Sequence, residues 1–366
     1  MYLILDAHED LSINMMDYKR DYRLSSKKIQ EIDIQNGVDK VWPPSLLGWE
    51  DWNRGRVGIV LSTLFEAPYR PDSRHGENDK GYKSIAEANQ RYWRHPEIYG
   101  KLAEENPQKF RLIKTAPELR SHLRDWEGQK PDEPQSYQPI GLIQAMEGAE
   151  GISGPDELPR WWQAGVRSIG LAWAGNQYCG GTRTPGPLTK AGRELVQAIA
   201  EIGFCIDIAH LDEASAWDLF DCFNGPIIAS HDLASPLVKG YQGNRLLSDE
   251  VIRALIEKNG VVGILPGNDF LDMSKPKHAE KSEFPLKLAI DQFDHICQLA
   301  GDAEHVGFGT DFDGGFGVTG VPEGINSIAD LPKILDALGQ RGYSEAELHG
   351  IASGNFLRVI ESVLPD

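Results

Sequence analysis

The sequence contains two short apolar runs that each end in a histidine, Phe204-Cys-Ile-Asp-Ile-Ala-His210 and Pro226-Ile-Ile-Ala-Ser-His231. Continuous runs of small and β-branched residues are typical of strands that are buried on both faces of a parallel sheet. The residues between the two runs, 212–223, have the apolar spacing and the acidic first turn of a helix. We therefore expect His210 and His231 to lie at the same end of two neighbouring parallel strands.

Six further runs of strand length share this apolar pattern, and a helix-like segment follows each of the eight runs. The runs cover residues 3–7, 57–64, 140–146, 168–173, 204–209, 227–230, 261–265 and 306–310. Eight alternations of strand and helix with right-handed crossovers close most economically as a (β/α)8 TIM barrel of the α/β class. A doubly wound open sheet is the alternative fold, but no Gly-x-Gly-x-x-Gly follows the first strand to favour it.

The length of 366 residues suits a single barrel domain over 1–366, since α/β barrels often exceed about 250 residues. Residues of about 68–114 interrupt the alternation, because they are polar and charged. We predict a long insertion here, after the second strand, with a helix over about 85–105. His95 in this insertion and His122 in the next helical stretch are predicted to be surface groups.

The composition excludes several classes of partner and site. A net charge of −18 and a pI near 5.0 argue against binding to nucleic acid or to an anionic membrane surface, because both need clustered Lys and Arg. The four cysteines show no Cys-x-x-Cys spacing and are expected to be reduced. The N-terminus lacks a signal-peptide pattern, and the apolar runs are too short to span a bilayer. These features predict a soluble, cytoplasmic protein.

Nitrogen and carboxylate ligands follow five of the predicted strands, namely His8 and Asp10, Glu147, His210, His231, and Asp311 with Asp313. The C-terminal strand ends of a barrel form its active face, and this set suits a pair of divalent cations. A carboxylate such as Glu147 could give one oxygen to each cation, and the pair would hold a bridging hydroxide and polarise a scissile carbonyl. Each residue alone has a simpler interpretation, a core-edge histidine or a solvated carboxylate. Their joint placement favours a binuclear metal-dependent hydrolase.

The motifs that carry these residues resemble the membrane (renal) dipeptidase family. They are Asp6-Ala-His8-Glu-Asp10, Met146-Glu147-Gly148, Ile206-Asp-Ile-Ala-His210, Ala229-Ser-His231, Gly307-Phe-Gly-Thr-Asp311-Phe-Asp-Gly314 and Ser353-Gly-Asn-Phe-Leu-Arg358. The resemblance covers essentially the whole chain in the right order. It implies a zinc-dependent dipeptidase on a (β/α)8 barrel related to the amidohydrolases, with a small dipeptide-like substrate.

The resemblance also implies a ligand set of two triads that share one residue. His8, Asp10 and Glu147 would bind one Zn²⁺, and Glu147, His210 and His231 would bind the second. Manganese or cobalt would also suit such a mixed nitrogen and oxygen set. Members of the family are often dimers, so the resemblance makes a homodimer one of the alternatives for this chain.

Two further roles follow from the same resemblance. Asp311 would take a proton from the attacking water, pass it to the leaving amine and pair with the free amino group of the substrate. Arg245 would hold the substrate carboxylate, which suits a planar guanidinium because it binds a carboxylate through two parallel hydrogen bonds. The alternative for Arg245 is an ordinary surface arginine before a helix.

The chain departs from the family after the predicted fourth strand, where Trp173 stands in place of a substrate-binding histidine. Indole donates one hydrogen bond but carries no positive charge. Either another donor replaces the histidine, with Asn176 and Tyr178 as candidates, or the substrate is a different amide, such as a D-amino-acid dipeptide or a β-lactam. A catalytically silent metal-binding barrel is a further alternative, but a structural site has no need of Asp311.

Overall fold

A computed structural model of the chain describes residues 2–69, 81–276 and 279–366. In these residues the chain forms nine β-strands, all of which pair in parallel. The strands are β1 (Ile4–Glu9), β2 (Val57–Leu64), β3 (Phe110–Leu112), β4 (Ile140–Met146), β5 (Val166–Gly170), β6 (Cys205–Asp207), β7 (Ile227–Asp232), β8 (Val261–Ile264) and β9 (Val306–Phe308).

Eight of these strands close into a barrel. The pairing order runs β2-β1-β9-β8-β7-β6-β5-β4, and β2 also pairs with β4, from Ile59 opposite Gly141 to Leu64 opposite Met146. The predicted (β/α)8 barrel is therefore confirmed, and each of the eight predicted strands overlaps an observed one. The sequence analysis does not predict β3, which has only three residues and pairs with the start of β4.

Helices connect the strands along the outside of the barrel. Within the described residues they are α1 (Leu11–Tyr18), α2 (Ser26–Asn36), α3 (Trp49–Gly55), α4 (Ile85–Tyr92), α5 (Arg94–Glu105), α6 (Ala116–Glu127), α7 (Leu158–Ala164), α8 (Lys190–Ile202), α9 (Glu213–Cys222), α10 (Asp249–Glu257), α11 (Asn268–Leu271), α12 (Lys287–Ala300), α13 (Pro332–Gln340), α14 (Glu345–His349) and α15 (Asn355–Ser362). Across the described ranges, no helix has both the length and the apolar character needed to cross a membrane.

Most residues of the barrel strands are apolar because both faces of each strand are covered, whereas polar residues such as His8 and His231 stand toward the C-terminal ends of β1 and β7. All eight residues of β2 and all seven residues of β4 are buried. One face of each strand fills the barrel interior and the other packs under the helices, so neither face needs polar residues. This is the physical reason that continuous apolar runs predicted the strands correctly.

The predicted helix over 85–105 is two helices in the structure, α4 and α5, which meet at Trp93. Pro96 lies in the first turn of α5 and lacks the N–H that a continuous helix would donate to Tyr92. Residues 70–80 of the predicted 68–114 insertion lie outside the described residues.

His95 and His122 are buried, so their prediction as surface groups is wrong. His95 lies in α5 with its Nδ1 2.6 Å from the Ser12 hydroxyl. His122 lies in α6 with its Nε2 2.8 Å from the Gly58 carbonyl oxygen of β2. Each ring faces the barrel and has a polar partner there, which makes burial of an imidazole tolerable. Helical periodicity alone does not reveal such partners.

The Asp313 carboxylate is fully buried and ties the turn after β9 to the segment between α1 and α3. Its oxygens accept hydrogen bonds from the Tyr22 hydroxyl at 2.9 Å, the Ser45 hydroxyl at 2.6 Å and the Leu46 backbone N–H at 2.7 Å. The Arg20 guanidinium lies 3.0 Å from the same carboxylate. Asp313 has a φ of 67°, a left-handed conformation that is costly for a residue with a side chain. These four contacts hold it there.

We expect Asp313→Ala to lower the free energy of unfolding by about 3–5 kcal/mol, because it leaves the buried Arg20 charge with Asp33 as its remaining carboxylate partner and leaves the Tyr22 hydroxyl and the Leu46 N–H without their acceptor. Asp125→Ala is the matched control, since the Asp125 carboxylate pairs with Arg111 at 2.7 Å but is 42% exposed. The control should lose no more than about 1 kcal/mol. Urea unfolding of both variants measures the difference, and equal losses would contradict a supporting role for Asp313.

Candidate metal centre

The five predicted metal ligands lie together at one end of the barrel. All five are at least nine-tenths buried, namely His8, Asp10, Glu147, His210 and His231. They stand in or directly after β1, β4, β6 and β7. Because these strands are parallel, their C-terminal ends meet at one face of the barrel, where side chains from strands distant in sequence converge.

The backbone at two of the converging positions is left-handed. His210 has a φ of 65° and Asp311 a φ of 53°, values that residues with a side chain seldom adopt. Backbone hydrogen bonds hold both positions, because the His210 carbonyl accepts the Thr182 N–H at 2.9 Å and the Asp311 N–H donates to the His8 carbonyl at 3.1 Å. Such strain of about 1–3 kcal/mol per residue persists where the surroundings fix the chain, and it is frequent at functional sites.

Glu147 lies at the centre of the cluster and faces the histidines with both oxygens. Its Oε2 is 3.5 Å from the Nε2 of His8. Its Oε1 is 3.1 Å from the Nε2 of His210 and 3.6 Å from the Nε2 of His231. The two oxygens therefore point to different groups of imidazole nitrogens.

Two other carboxylates approach His8. The His8 Nε2 is 3.8 Å from an oxygen of Asp10 and 3.9 Å from an oxygen of Asp311. The ligand atoms of three triads lie within 4.8 Å of one another, namely His8 with Asp10 and Glu147, Glu147 with His210 and His231, and His8 with His231 and Asp311. Asp311 thus lies beside the cluster and has the geometry of a possible ligand as well.

The unsatisfied polar atoms of the cluster fit a cation. Among the residues that the structure describes, the buried Nε2 of His8 and the buried Oδ1 of Asp10 have no hydrogen-bond partner. The Nε2 atoms of His210 and His231 are only 3.0 Å apart, and both face Glu147. Imidazole nitrogens and carboxylate oxygens are the ligand types of zinc and similar divalent ions. Leaving such atoms unpaired costs free energy, which a bound cation would remove.

Burial and neighbouring charge set the protonation of the cluster. Burial lowers the pKa of His210 to about 4 and that of His231 well below its usual value, so both rings are neutral. Burial alone would raise the pKa of Glu147, but His8 and His210 lower it below its usual range. Burial also disfavours charge on His8, but the Glu147, Asp10 and Asp311 carboxylates together outweigh it and raise the pKa of His8 to about 10. Neutral imidazoles and an ionised carboxylate are the forms that bind metals, so His8 would release its proton when it binds an ion.

Burial raises the pKa of the Asp311 carboxyl well above its usual range, although His8 opposes the shift. Asp10 and Glu147 add to the increase, since their negative charges disfavour a third carboxylate nearby. Asp311 is thus a group that holds a proton more readily than an ordinary carboxylate.

Arg245 is buried beside the cluster and is not a surface residue. Its Nη1 donates to Asp232 at 2.7 Å, and its Nη2 donates to the His231 carbonyl at 2.9 Å. Its buried Nε has no hydrogen-bond partner within the described part of the chain. Asp232 was not predicted as a site residue, although its place directly after a strand-end histidine is a signal of the same kind as the others.

Trp173 lies after β5 and is partly exposed. Its ring is 5.3 Å from the ring of Phe65 and 6.0 Å from that of His210, measured between centroids. Tyr178 is buried and donates its hydroxyl proton to the Ile152 carbonyl at 2.7 Å. The Asn176 amide donates to the Leu171 carbonyl, and its oxygen accepts the Tyr178 N–H. The Asn176 amide therefore stabilises its own loop, whereas the Tyr178 hydroxyl joins this loop to the segment after β4 and has its proton engaged there.

The sequence profile of the membrane dipeptidase family, peptidase family M19, matches residues 2–364 of the chain. The chain is 31% identical over 234 residues to an uncharacterized protein in the pqqA 5′ region of Klebsiella pneumoniae. The aligned residues make up 61% of this chain and 82% of that protein. It is 25% identical to an uncharacterized dipeptidase of Schizosaccharomyces pombe, over 97% of this chain and 80% of that protein.

Solved structures share the fold over nearly the whole chain. The dipeptidase AC, a metallo peptidase of family M19, superposes with a TM-score of 0.76 at 22% identity and covers 100% of this chain and 99% of its own. A metallo peptidase from Rhodobacter sphaeroides, bound to a phosphinate mimic of the dipeptide L-Ala-D-Ala, gives the same TM-score and identity, with 99% of both chains covered. The chain therefore belongs to the membrane dipeptidase family, peptidase family M19, and is a metallopeptidase of the dipeptidase type.

Proposed function

We propose that the chain hydrolyses the amide bond of a short substrate with a free amine and a free carboxylate, at a centre of two divalent metal ions. The observation that carries this proposal is the position of Glu147, because its two oxygens face different imidazole groups. A carboxylate in this position has one oxygen for each of two cations.

His8, Asp10 and Glu147 would hold one ion, and Glu147, His210 and His231 would hold the other. Zinc is the ion we propose, although manganese or cobalt would suit the same atoms. When bound, such cations polarise the scissile carbonyl and lower the pKa of the attacking water.

Asp311 is the group we assign to proton transfer. It takes a proton from the attacking water as the carbon–oxygen bond forms, and it delivers this proton to the amine nitrogen as the carbon–nitrogen bond breaks. Its raised pKa supports this role, because a carboxylate with a higher pKa is a stronger base toward the attacking water. Its carboxylate also lies on the side of His8, where it could pair with the substrate amine.

Arg245 is the group we assign to the substrate carboxylate. Its bonds to Asp232 and to the His231 carbonyl use two of its five N–H groups, and the Nε–H is buried without a partner. The guanidinium therefore keeps donors for a carboxylate. The two existing bonds fix its orientation, which lowers the entropy lost when a substrate binds.

The aromatic residues near His210 bear on the stereochemistry of the proposed substrate. Trp173 and Phe65 place an apolar aromatic pair next to His210, where the resemblance implies an imidazole that contacts the substrate. We include L,D-dipeptides among the proposed substrates, because the Rhodobacter sphaeroides neighbour binds a mimic of L-Ala-D-Ala. A related amide such as a β-lactam is the alternative.

We further propose a single barrel domain with an insertion at about 68–114, working in a reducing compartment such as the cytoplasm. The four cysteines are free thiols, and three of them are buried. Free buried thiols are typical of proteins from reducing compartments.

The first test measures metal content and hydrolysis together. We expect two divalent ions per chain and cleavage of at least one dipeptide in a panel of L,L-, L,D- and D-containing substrates, with activity lost after chelation and restored by zinc. Two bound ions without cleavage of any dipeptide would indicate that the substrate is a different amide. Fewer than two ions after reconstitution would contradict the binuclear centre.

Asp311→Asn separates proton transfer from metal binding. The amide keeps the size of the side chain but does not accept the proton, so we expect turnover of the best dipeptide to fall by about 1000-fold or more. Metal content, measured by elemental analysis, should stay at the wild-type value. A loss of metal would instead make Asp311 a ligand, and unchanged turnover would contradict its proposed role.

Arg245→Met tests the proposed contact with the substrate carboxylate. A second variant separates this contact from the ion pair that Arg245 forms with Asp232. Loss of a charge-assisted hydrogen bond of about 1.5–3 kcal/mol should raise the KM for the dipeptide by roughly 10–100-fold. The single variant also leaves the buried Asp232 carboxylate without the guanidinium that pairs with it. Its free energy of unfolding should therefore be lower by about 3 kcal/mol.

The double variant Asp232→Asn, Arg245→Met also removes the negative charge of Asp232, so no unpaired charge is left buried. We expect it to recover most of the lost stability in urea unfolding while the KM stays high. A double variant whose KM returns to the wild-type value would show that Arg245 acts only as a structural partner of Asp232.

A further inference from the structure

One hydroxyl contacts two of the three histidines of the centre. Ser230 lies in β7 and is 1% exposed. Its Oγ is 2.9 Å from the Nδ1 of His231 and 3.3 Å from the Nδ1 of His8. The two rings are 3.8 Å apart between centroids, so the hydroxyl joins them on the side away from Glu147.

These contacts bear on which ring nitrogen carries the proton. In a neutral imidazole one nitrogen donates a hydrogen bond and the other offers a lone pair. A hydroxyl oxygen that accepts from both Nδ1–H groups leaves the two Nε2 atoms, on the side of Glu147, as the atoms that would offer lone pairs to the ions. Such outer partners fix the tautomer and the orientation of metal-binding histidines.

The backbone of Ser230 is fixed by a buried carboxylate. Asp207 of β6 accepts the Ser230 backbone N–H at 2.8 Å and the Ala209 backbone N–H at 3.0 Å. Asp207 therefore ties the segment after β6 to β7 directly beside the Ser230 hydroxyl.

The backbone of Ser230 has little room to move. A Cβ added to Gly263 of β8 would lie 2.0 Å from the Ser230 carbonyl oxygen, and one added to Gly309 would lie 1.7 Å from it. The close approach of these two glycines holds the strand against its neighbours. The position of the hydroxyl between the rings is therefore set by the barrel itself.

The third histidine is oriented separately. The Nδ1 of His210 is 3.0 Å from the Thr182 hydroxyl, which belongs to the loop after β5. His8 belongs to one proposed metal triad, whereas His210 and His231 belong to the other. Ser230 is thus shared between the two triads, and Thr182 serves only one of them.

We propose that Ser230 is a positioning residue that couples the two metal positions, because its single hydroxyl orients one imidazole ligand of each. This inference rests on the proposed binuclear function. It predicts that removal of one hydroxyl weakens both metal positions at once, although Ser230 itself binds neither ion.

The test is a competition titration of the metal-free protein with zinc and a chelator, for the wild type and four variants. We expect Ser230→Ala to weaken zinc binding at both positions by roughly 10–100-fold, the usual effect of removing an outer partner of a metal ligand. Thr182→Val should weaken one position and leave the other unchanged. Ser62→Ala is the matched control, because Ser62 is a buried strand serine whose hydroxyl donates to the Ile143 carbonyl of β4 and not to a histidine. It should bind two ions like the wild type.

The outcomes separate this inference from the function on which it rests. Fewer than two zinc ions in the wild type would contradict the binuclear centre itself. Two ions in the wild type, with Ser230→Ala weakened at one position or at neither, would overturn only the coupling role. Ser230→Thr keeps the hydroxyl and should restore both affinities. A Ser230→Thr protein that folds, as judged by its melting temperature, yet binds zinc as weakly as Ser230→Ala, would also overturn it.

Discussion

The buried carboxylate of Glu147 is the charge around which the active face is arranged. An ionised carboxylate without a partner in a protein interior costs several kcal/mol, so it persists only where opposite charge or strong donors surround it. Here the surroundings are three imidazoles, of which His8 carries the positive charge in the absence of metal. A parallel barrel is well suited to this arrangement, because it brings the ends of β1, β4, β6 and β7 to one face.

The same face concentrates backbone strain, and its support comes from neighbouring residues. His210, Asp311 and Asp313 all have positive φ angles, and each stands just after a strand. Polar groups of the interior supply this support, such as the Asp6 carboxylate, which accepts the Thr310 N–H at 2.8 Å. Rigidity of the turn after β9 therefore comes from the interior of the protein.

Much of the fold was predictable, because a strand buried on both faces must be apolar along its length. Where such a strand ends in a histidine or a carboxylate, the parallel arrangement fixes where the side chain goes, and this gave the cluster around Glu147. The features that were not predicted from the sequence depend on contacts between segments far apart along the chain. β3 is too short to show a pattern, His95 is buried by a contact with Ser12, and Ser230 contacts a histidine 222 residues away. No local periodicity encodes those pairs.

The surroundings of Trp173 differ in chemical character from the cluster beside them. Asn176 donates to the Leu171 carbonyl of the same loop, and Tyr178 donates to the Ile152 carbonyl after β4, so both side chains already have acceptors. The Trp173 ring lies near Phe65 and His210, which places an apolar aromatic surface next to imidazoles and carboxylates. Under the proposed function, the lack of one oxyanion donor would cost about 3 kcal/mol of transition-state stabilisation unless another group supplied it. The substrate we propose is therefore one whose binding would gain from apolar contact near His210, while its charged ends would pair with Arg245 and Asp311.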